Sequence, residues 1–165
     1  MDFSEIYERY VGDVHRFTLY LSGNHALAED LTSETFVHAL CGRSELRMGT
    51  VKAYLFAIAR NLYRDFLARQ RHTVANGELP ERVDPVPRPD QRAEDRETVS
   101  NTLRALQKLP ELQREALVLA VDQELSYEQI AVILDCSVAA VKVRIHRARL
   151  MLKSELNKKE QSWKM

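Results

Sequence analysis

An all-α fold of two small helical domains joined by a proline-rich linker is predicted for this chain, on three observations. Apolar residues recur at helical steps of three and four through most of the 165 residues. One stretch, TVANGELPERVDPVPRPDQ, lacks that periodicity and holds four of the five prolines. The stretch from Ser126 to Leu152 reads as two short helices meeting at a tight turn, the second strongly basic, which is a helix-turn-helix signature.

The elements follow in order. Phe3, Ile6, Tyr7, Tyr10, Val14, Phe17 and Leu21 make a first amphipathic helix, closed by Ser22-Gly23-Asn24. Asn24 caps a second helix running to about Leu40, with Leu27, Leu31, Phe36 and Leu40 as core candidates and Glu29, Asp30 and Glu34 outside. Those acids read either as a solvated face or as a partner surface. After a loop at Arg43 to Gly49, Thr50 caps a third helix with Val51, Leu55, Ile58, Ala59, Leu62 and Phe66 as its buried stripe. An N-terminal domain of three to four helices thus spans 1–72, and the linker 73–97. Helical spacing resumes by about Thr98, Pro110 starts a further helix with Leu112 on its apolar face, and the helix-turn-helix completes a four-helix domain over 98–156. A polar tail, 157–165, is expected to fray.

Composition excludes several classes. A chain that is 45% hydrophobic and 29% charged is ordinary for a globular protein. It has no apolar run long enough to cross a bilayer, and the start MDFSEIYERY lacks the basic and apolar parts of a signal peptide, so a cytoplasmic location is expected. Cys41 and Cys136 lie far apart without metal-ligand spacing, and the five histidines are scattered, so neither a metal nor another cofactor is expected. The formal net charge is +0, yet the charge is segregated: cations crowd the chain after Val138 and again between Arg60 and Arg71. Two basic surfaces imply two polyanion contacts.

In the last helix Val138, Val141, Ile145, Ala148 and Leu152 share a buried stripe. Ala139, Val143 and His146 point away from it, flanked by Lys142, Arg144, Arg147 and Arg149. Small residues in front let a helix approach base edges, and flanking cations suit phosphates on either side of a major groove. In the third helix Ala53, Ala57, Arg60, Asn61, Arg64, Ala68 and Arg71 line up opposite the stripe. They form a shallow groove of small residues and cations beside Tyr54, Phe56 and Tyr63. Aromatics beside cations suit single-stranded DNA, whose bases stack and whose phosphates pair. Core packing is the expectation for Phe56.

Three stretches together resemble one family. AEDLTSETF (28–36), VKAYLFAIARNLYRDFLARQRH (51–72) and LPELQREALVLAVDQELSYEQIAVILDCSVAAVKVRIHRAR (109–149), in that order and with the linker between the last two, are similar to the extracytoplasmic-function (ECF) sigma factors of the bacterial sigma-70 family. The resemblance implies binding rather than catalysis, with three sets of residues. Asp30, Leu31, Glu34 and Phe36 would grip bacterial core RNA polymerase, with Phe36 as apolar anchor and Leu31 as packing support. Tyr54, Ala57, Arg60, Asn61, Arg64, Asp65, Arg69 and Arg71 would take the melted non-template strand of the minus-10 element. Ser126, Ser137, Ala139, Ala140, Lys142, Val143, Arg144, His146, Arg147 and Arg149 would read the minus-35 duplex. An anti-sigma factor is an implied further partner. Ser33, Tyr54 and Ala139-Ala140 stand where the family usually has glutamine, often tryptophan and frequently Gly-Thr. From the residues alone two other readings stay open: a response-regulator output protein with the same helix-turn-helix, or an adaptor that only binds another regulator.

Overall fold

A computed structural model of the chain describes residues 2–42, 50–77, 93–121 and 124–164, which form seven α-helices. The chain divides into two compact units, Met1–Val86 and Pro87–Met165.

The first unit holds α1 (Phe3–Ser22), α2 (His25–Cys41) and α3 (Val51–Ala75). A capping box starts α1: the Glu5 N–H donates to the Asp2 carboxylate at 2.9 Å, and the Asp2 N–H to Glu5 at 3.0 Å. Gly23 ends it with φ of 67°, a left-handed conformation that side chains resist. Asn24 then accepts from the Leu27 N–H at 3.1 Å and α2 turns back along α1. Their seam is partly polar yet satisfied: the buried Thr18 hydroxyl lies 3.2 Å from both the Thr32 hydroxyl and the Ala28 carbonyl. Helix α3 packs against both. Phe56 stacks on Phe17 with centroids 4.7 Å apart, and the Tyr63 hydroxyl donates to the Leu21 carbonyl at 3.0 Å, satisfying an acceptor at the end of α1. Lys52, though buried, places its ammonium 3.3 Å from Asp13.

The second unit holds α4 (Ala93–Gln107), α5 (Glu111–Val121), α6 (Tyr127–Leu134) and α7 (Val138–Trp163). Buried Arg114 of α5 closes the end of α4, donating to the carbonyls of Leu106, Gln107 and Leu109 at 3.0, 3.2 and 2.9 Å. Leu103, Leu106, Leu109, Leu119, Ile130, Val141 and Ile145 are buried within the unit.

Several expectations shift. Helix α3 continues to Ala75 and α4 begins at Ala93, so helices occupy both ends of the stretch assigned to the linker. The rest of that proline-rich stretch, 78–92, and the expected loop at 43–49 lie outside the described residues. Pro110 sits one position before α5, its carbonyl accepting from the Arg114 N–H at 2.9 Å. The segment read as a fraying tail is helical to Trp163, because no glycine or proline interrupts it and side chains fasten it to the rest of the unit: Lys108 meets Glu155 at 3.1 Å, and Lys159 meets Asn101 at 3.4 Å. Leu40 and Leu112, expected in the core, are 62% and 39% exposed. In α2 the packed arc runs through Ala28, Leu31, Thr35 and Phe36, and Leu40 lies one turn past its last buried residue.

Candidate nucleic-acid interfaces

In the second unit, helix α6, the turn and α7 build one surface. The Ser126 hydroxyl accepts from the Gln129 N–H at 3.1 Å while the Gln129 amide oxygen accepts from the Ser126 N–H at 2.9 Å. Asp135 makes the turn at φ 52°, and the next two residues finish it: the Cys136 N–H donates to the Ala131 carbonyl at 3.0 Å, and Ser137 caps α7 by accepting from the Ala140 N–H at 3.1 Å. Ser126 and Ser137 are thus held by capping, with their exposed edges beside the surface. On α7 the expected stripe is observed, with Val141, Ile145 and Ala148 buried and Val138 and Leu152 half-buried. Ala139, Lys142, Val143, His146, Arg147 and Arg149 are exposed, and Ala140 is half-buried. Arg144 differs from the flanking position assigned to it. It is half-buried, and its Nη1 is buried without a hydrogen-bond partner, because at helical spacing it falls beside the packed stripe.

In the first unit, α3 presents less than the sequence predicts. Its packed arc is turned roughly a quarter of the helix circumference from the expected stripe, running through Lys52, Phe56, Ala59 and Tyr63. The aromatics cause this: Phe56 and Tyr63 lie on the side that meets α1. Ala53, Ala57 and Arg60, expected to line an open groove, are consequently 0%, 8% and 6% exposed. The groove is therefore not formed as expected, and Ala57 and Arg60 face the packed interior. Asn61, Arg64, Asp65, Ala68, Arg69 and Arg71 are exposed and Tyr54 is half-buried.

Helix α2 needs a similar correction. Asp30 and Glu34 are exposed and Leu31 is packed as expected, but Phe36 is 3% exposed, covered by Phe3 and Tyr7 in edge contacts at 6.3 and 4.9 Å. It cannot anchor a partner without leaving that cluster. The exposed apolar group beside Glu34 is Val37, at 58%, and Leu40, at 62%, follows it three residues on. Sequence reasoning missed Val37, although its spacing of seven from Asp30 and three from Glu34 places it in their row.

Two sequence profiles match the chain, one described as Sigma-70 region 2 over residues 6–73 and one described as Sigma-70, region 4 over residues 101–152. The ECF RNA polymerase sigma factor SigM of Bacillus subtilis is 33% identical over 163 residues, which cover 96% of this chain and 97% of SigM. This chain belongs to the ECF sigma factors. SigE of Mycolicibacterium smegmatis is 35% identical over 158 residues, and this chain spans 61% of its length. The RpoE sigma factor of Bartonella quintana, solved in complex with the anti-sigma factor NepR, matches with a TM-score of 0.77 at 31% identity, over 94% of this chain and 97% of that one. Region 2 therefore corresponds to α1 through α3, and region 4 to α4 through the first part of α7. An ECF sigma factor directs RNA polymerase to specific promoters for transcription initiation. It does so by binding and not as an enzyme. Among the described residues no helix is long and apolar enough to cross a membrane, and no group of three or more His, Cys, Asp or Glu residues could hold a metal ion.

Proposed function

We propose that this sigma factor reads two promoter elements with its two units while core RNA polymerase holds it through α2. The observation that carries the reading is the surface of α7, where Ala139 and Val143 stand exposed between cations and a buried stripe fixes the helix beneath them. A helix so presented can enter the major groove of the minus-35 duplex, with Ala139, Ala140, Val143 and His146 near base edges and Lys142, Arg147 and Arg149 near phosphates. On α3, Tyr54, Asn61, Arg64, Asp65, Arg69 and Arg71 take the opened non-template strand of the minus-10 element, the Asn61 amide reading a base that has left the stack. Arg60 and Ala57 support that helix from inside. On α2, Asp30 and Glu34 meet basic groups of the polymerase, and Val37 and Leu40 replace Phe36 as apolar anchors. The proline-rich segment joins the units, and both work in the cytoplasm, where polymerase and promoter DNA meet. An anti-sigma factor is the further partner, as NepR is for the RpoE sigma factor.

Duplex binding by α7 is tested with Arg147→Ala, which should weaken binding to every upstream sequence and lower the salt slope by about one unit, while Val143 changes should alter base preference. A changed base preference with Arg147→Ala alone would reverse these roles. For α2, pull-down with core polymerase should lose the Val37→Asp, Leu40→Asp double variant at unchanged helicity. Full retention would remove this row from the polymerase interface.

A further inference from the structure

The region 4 match ends at residue 152, yet α7 continues as one helix to Trp163. The continuation keeps the register of the surface before it. Lys142, His146, Arg149, Lys153 and Asn157 succeed one another at steps of three and four, and each is exposed. Lys153 and Asn157 therefore stand on the face that the promoter reading gives to DNA. The segment is also anchored elsewhere on its circumference. Glu155 meets Lys108 at 3.1 Å and Lys158 at 3.6 Å, and Lys159 reaches Asn101 at 3.4 Å. A side chain presented from a helix fastened in this way loses less freedom on binding than one on a fraying end.

Reach decides how far the face extends. Lys153 lies about 16 Å along the helix from Lys142, against a major groove about 12 Å wide. With Ala139 and Val143 in the groove and Lys142 at its edge, the Lys153 ammonium falls at the phosphate wall that bounds it. Lys164, about 16 Å further on, passes beyond the same wall. Charge favours phosphate at this point, since Glu155, the acid between Lys142 and Lys159, is already engaged by two lysines.

We infer that Lys153, with the Asn157 amide beside it, is an outer clamp on the phosphates of duplex flanking the upstream element, and that the Glu155–Lys108 pair positions it. This rests on the reading of α7 as the duplex-binding helix. The test measures binding of the full chain assembled with core polymerase to promoter duplex as a function of salt. It uses the complete duplex and two others, each shortened on one flank of the upstream element. Lys153→Gln should lower the salt slope on the complete duplex by about 0.9, the contribution of one phosphate, without changing base preference, and Lys153→Arg should restore it. On one of the shortened duplexes the difference between wild type and Lys153→Gln should vanish. An unchanged slope on the complete duplex, while Arg147→Ala still loses about one unit, overturns the clamp and leaves the promoter reading standing. A difference that survives shortening on both flanks also overturns it and assigns the lysine to a protein contact. Unchanged slopes for both Lys153→Gln and Arg147→Ala remove the duplex-binding role of α7 and the clamp with it.

Discussion

Helices α3 and α7 are nearly the same length, 25 and 26 residues, each is capped by a hydroxyl, and each is rich in cations, yet they present those cations in opposite ways. The first part of α3 buries Lys52 and Arg60, because α1 and α2 both lie against it and widen its packed arc. Helix α7 rests on a narrow stripe of Val141, Ile145 and Ala148 and leaves Lys142, Arg147 and Arg149 in water. A cation on a helix thus belongs to the fold or to the ligand according to how wide an arc of that helix is packed. Charge density alone does not separate the two cases.

The sharpest way to break this comparison is a matched pair of substitutions. Arg60→Ala should destabilise the first unit by about 2–4 kcal/mol, since it removes a buried guanidinium and its stem. Arg147→Ala should change stability by less than about 0.5 kcal/mol and be felt in DNA binding. Urea unfolding of both variants measures the contrast, and an Arg60→Ala protein of wild-type stability with impaired DNA binding would put Arg60 back on the DNA face. A smaller effect sharpens the account of why α3 is turned. Tyr63→Phe leaves the Leu21 carbonyl without its 3.0 Å partner and should cost about 1–2 kcal/mol, read from the midpoint of thermal unfolding, with no change in the second unit.

The smallest effect concerns the fastening of α7. The Lys108 hydrogen bond, opposed by burial and aided by the charges of Lys108 and Lys158, holds the Glu155 carboxyl below the usual glutamate range. Because the folded value is the lower one, the pair's contribution is present above the ordinary glutamate pKa and is lost as pH falls through the lowered one. Wild type should therefore exceed Glu155→Gln in melting temperature at neutral pH, and the gap should close in acid. A gap that is unchanged between neutral pH and strong acid would show that the pair contributes nothing to the fastening.

Much of this architecture is legible in the sequence because helix boundaries have local chemistry. Asn24, Thr50, Ser126 and Ser137 announce helix starts, and each accepts the expected backbone hydrogen bond. The α7 stripe is legible because one side of that helix is packed, so periodicity and burial coincide. The face of α3 is not, because periodicity locates a row of aliphatic residues but not the rotation imposed by two neighbours meeting Phe56 and Tyr63. Phe36 misleads for a related reason: an aromatic in an acidic row looks like an anchor until Phe3 and Tyr7, far off in sequence, cover it. The end of α7 escapes a reading based on apolar spacing because lysine, glutamate and asparagine pairs hold it.

The Tyr63 to Leu21 bond joins groups 42 residues apart and lies inside a unit that ends at Val86. Every partner that the first unit needs is therefore synthesised before the second unit, which begins at Pro87. Roughly 80 residues then remain to be made, taking about 4 to 16 s at ordinary bacterial elongation rates. Domains of this size fold far faster than that. On the ribosome, the unit that carries α2 is complete while α7 is still being translated.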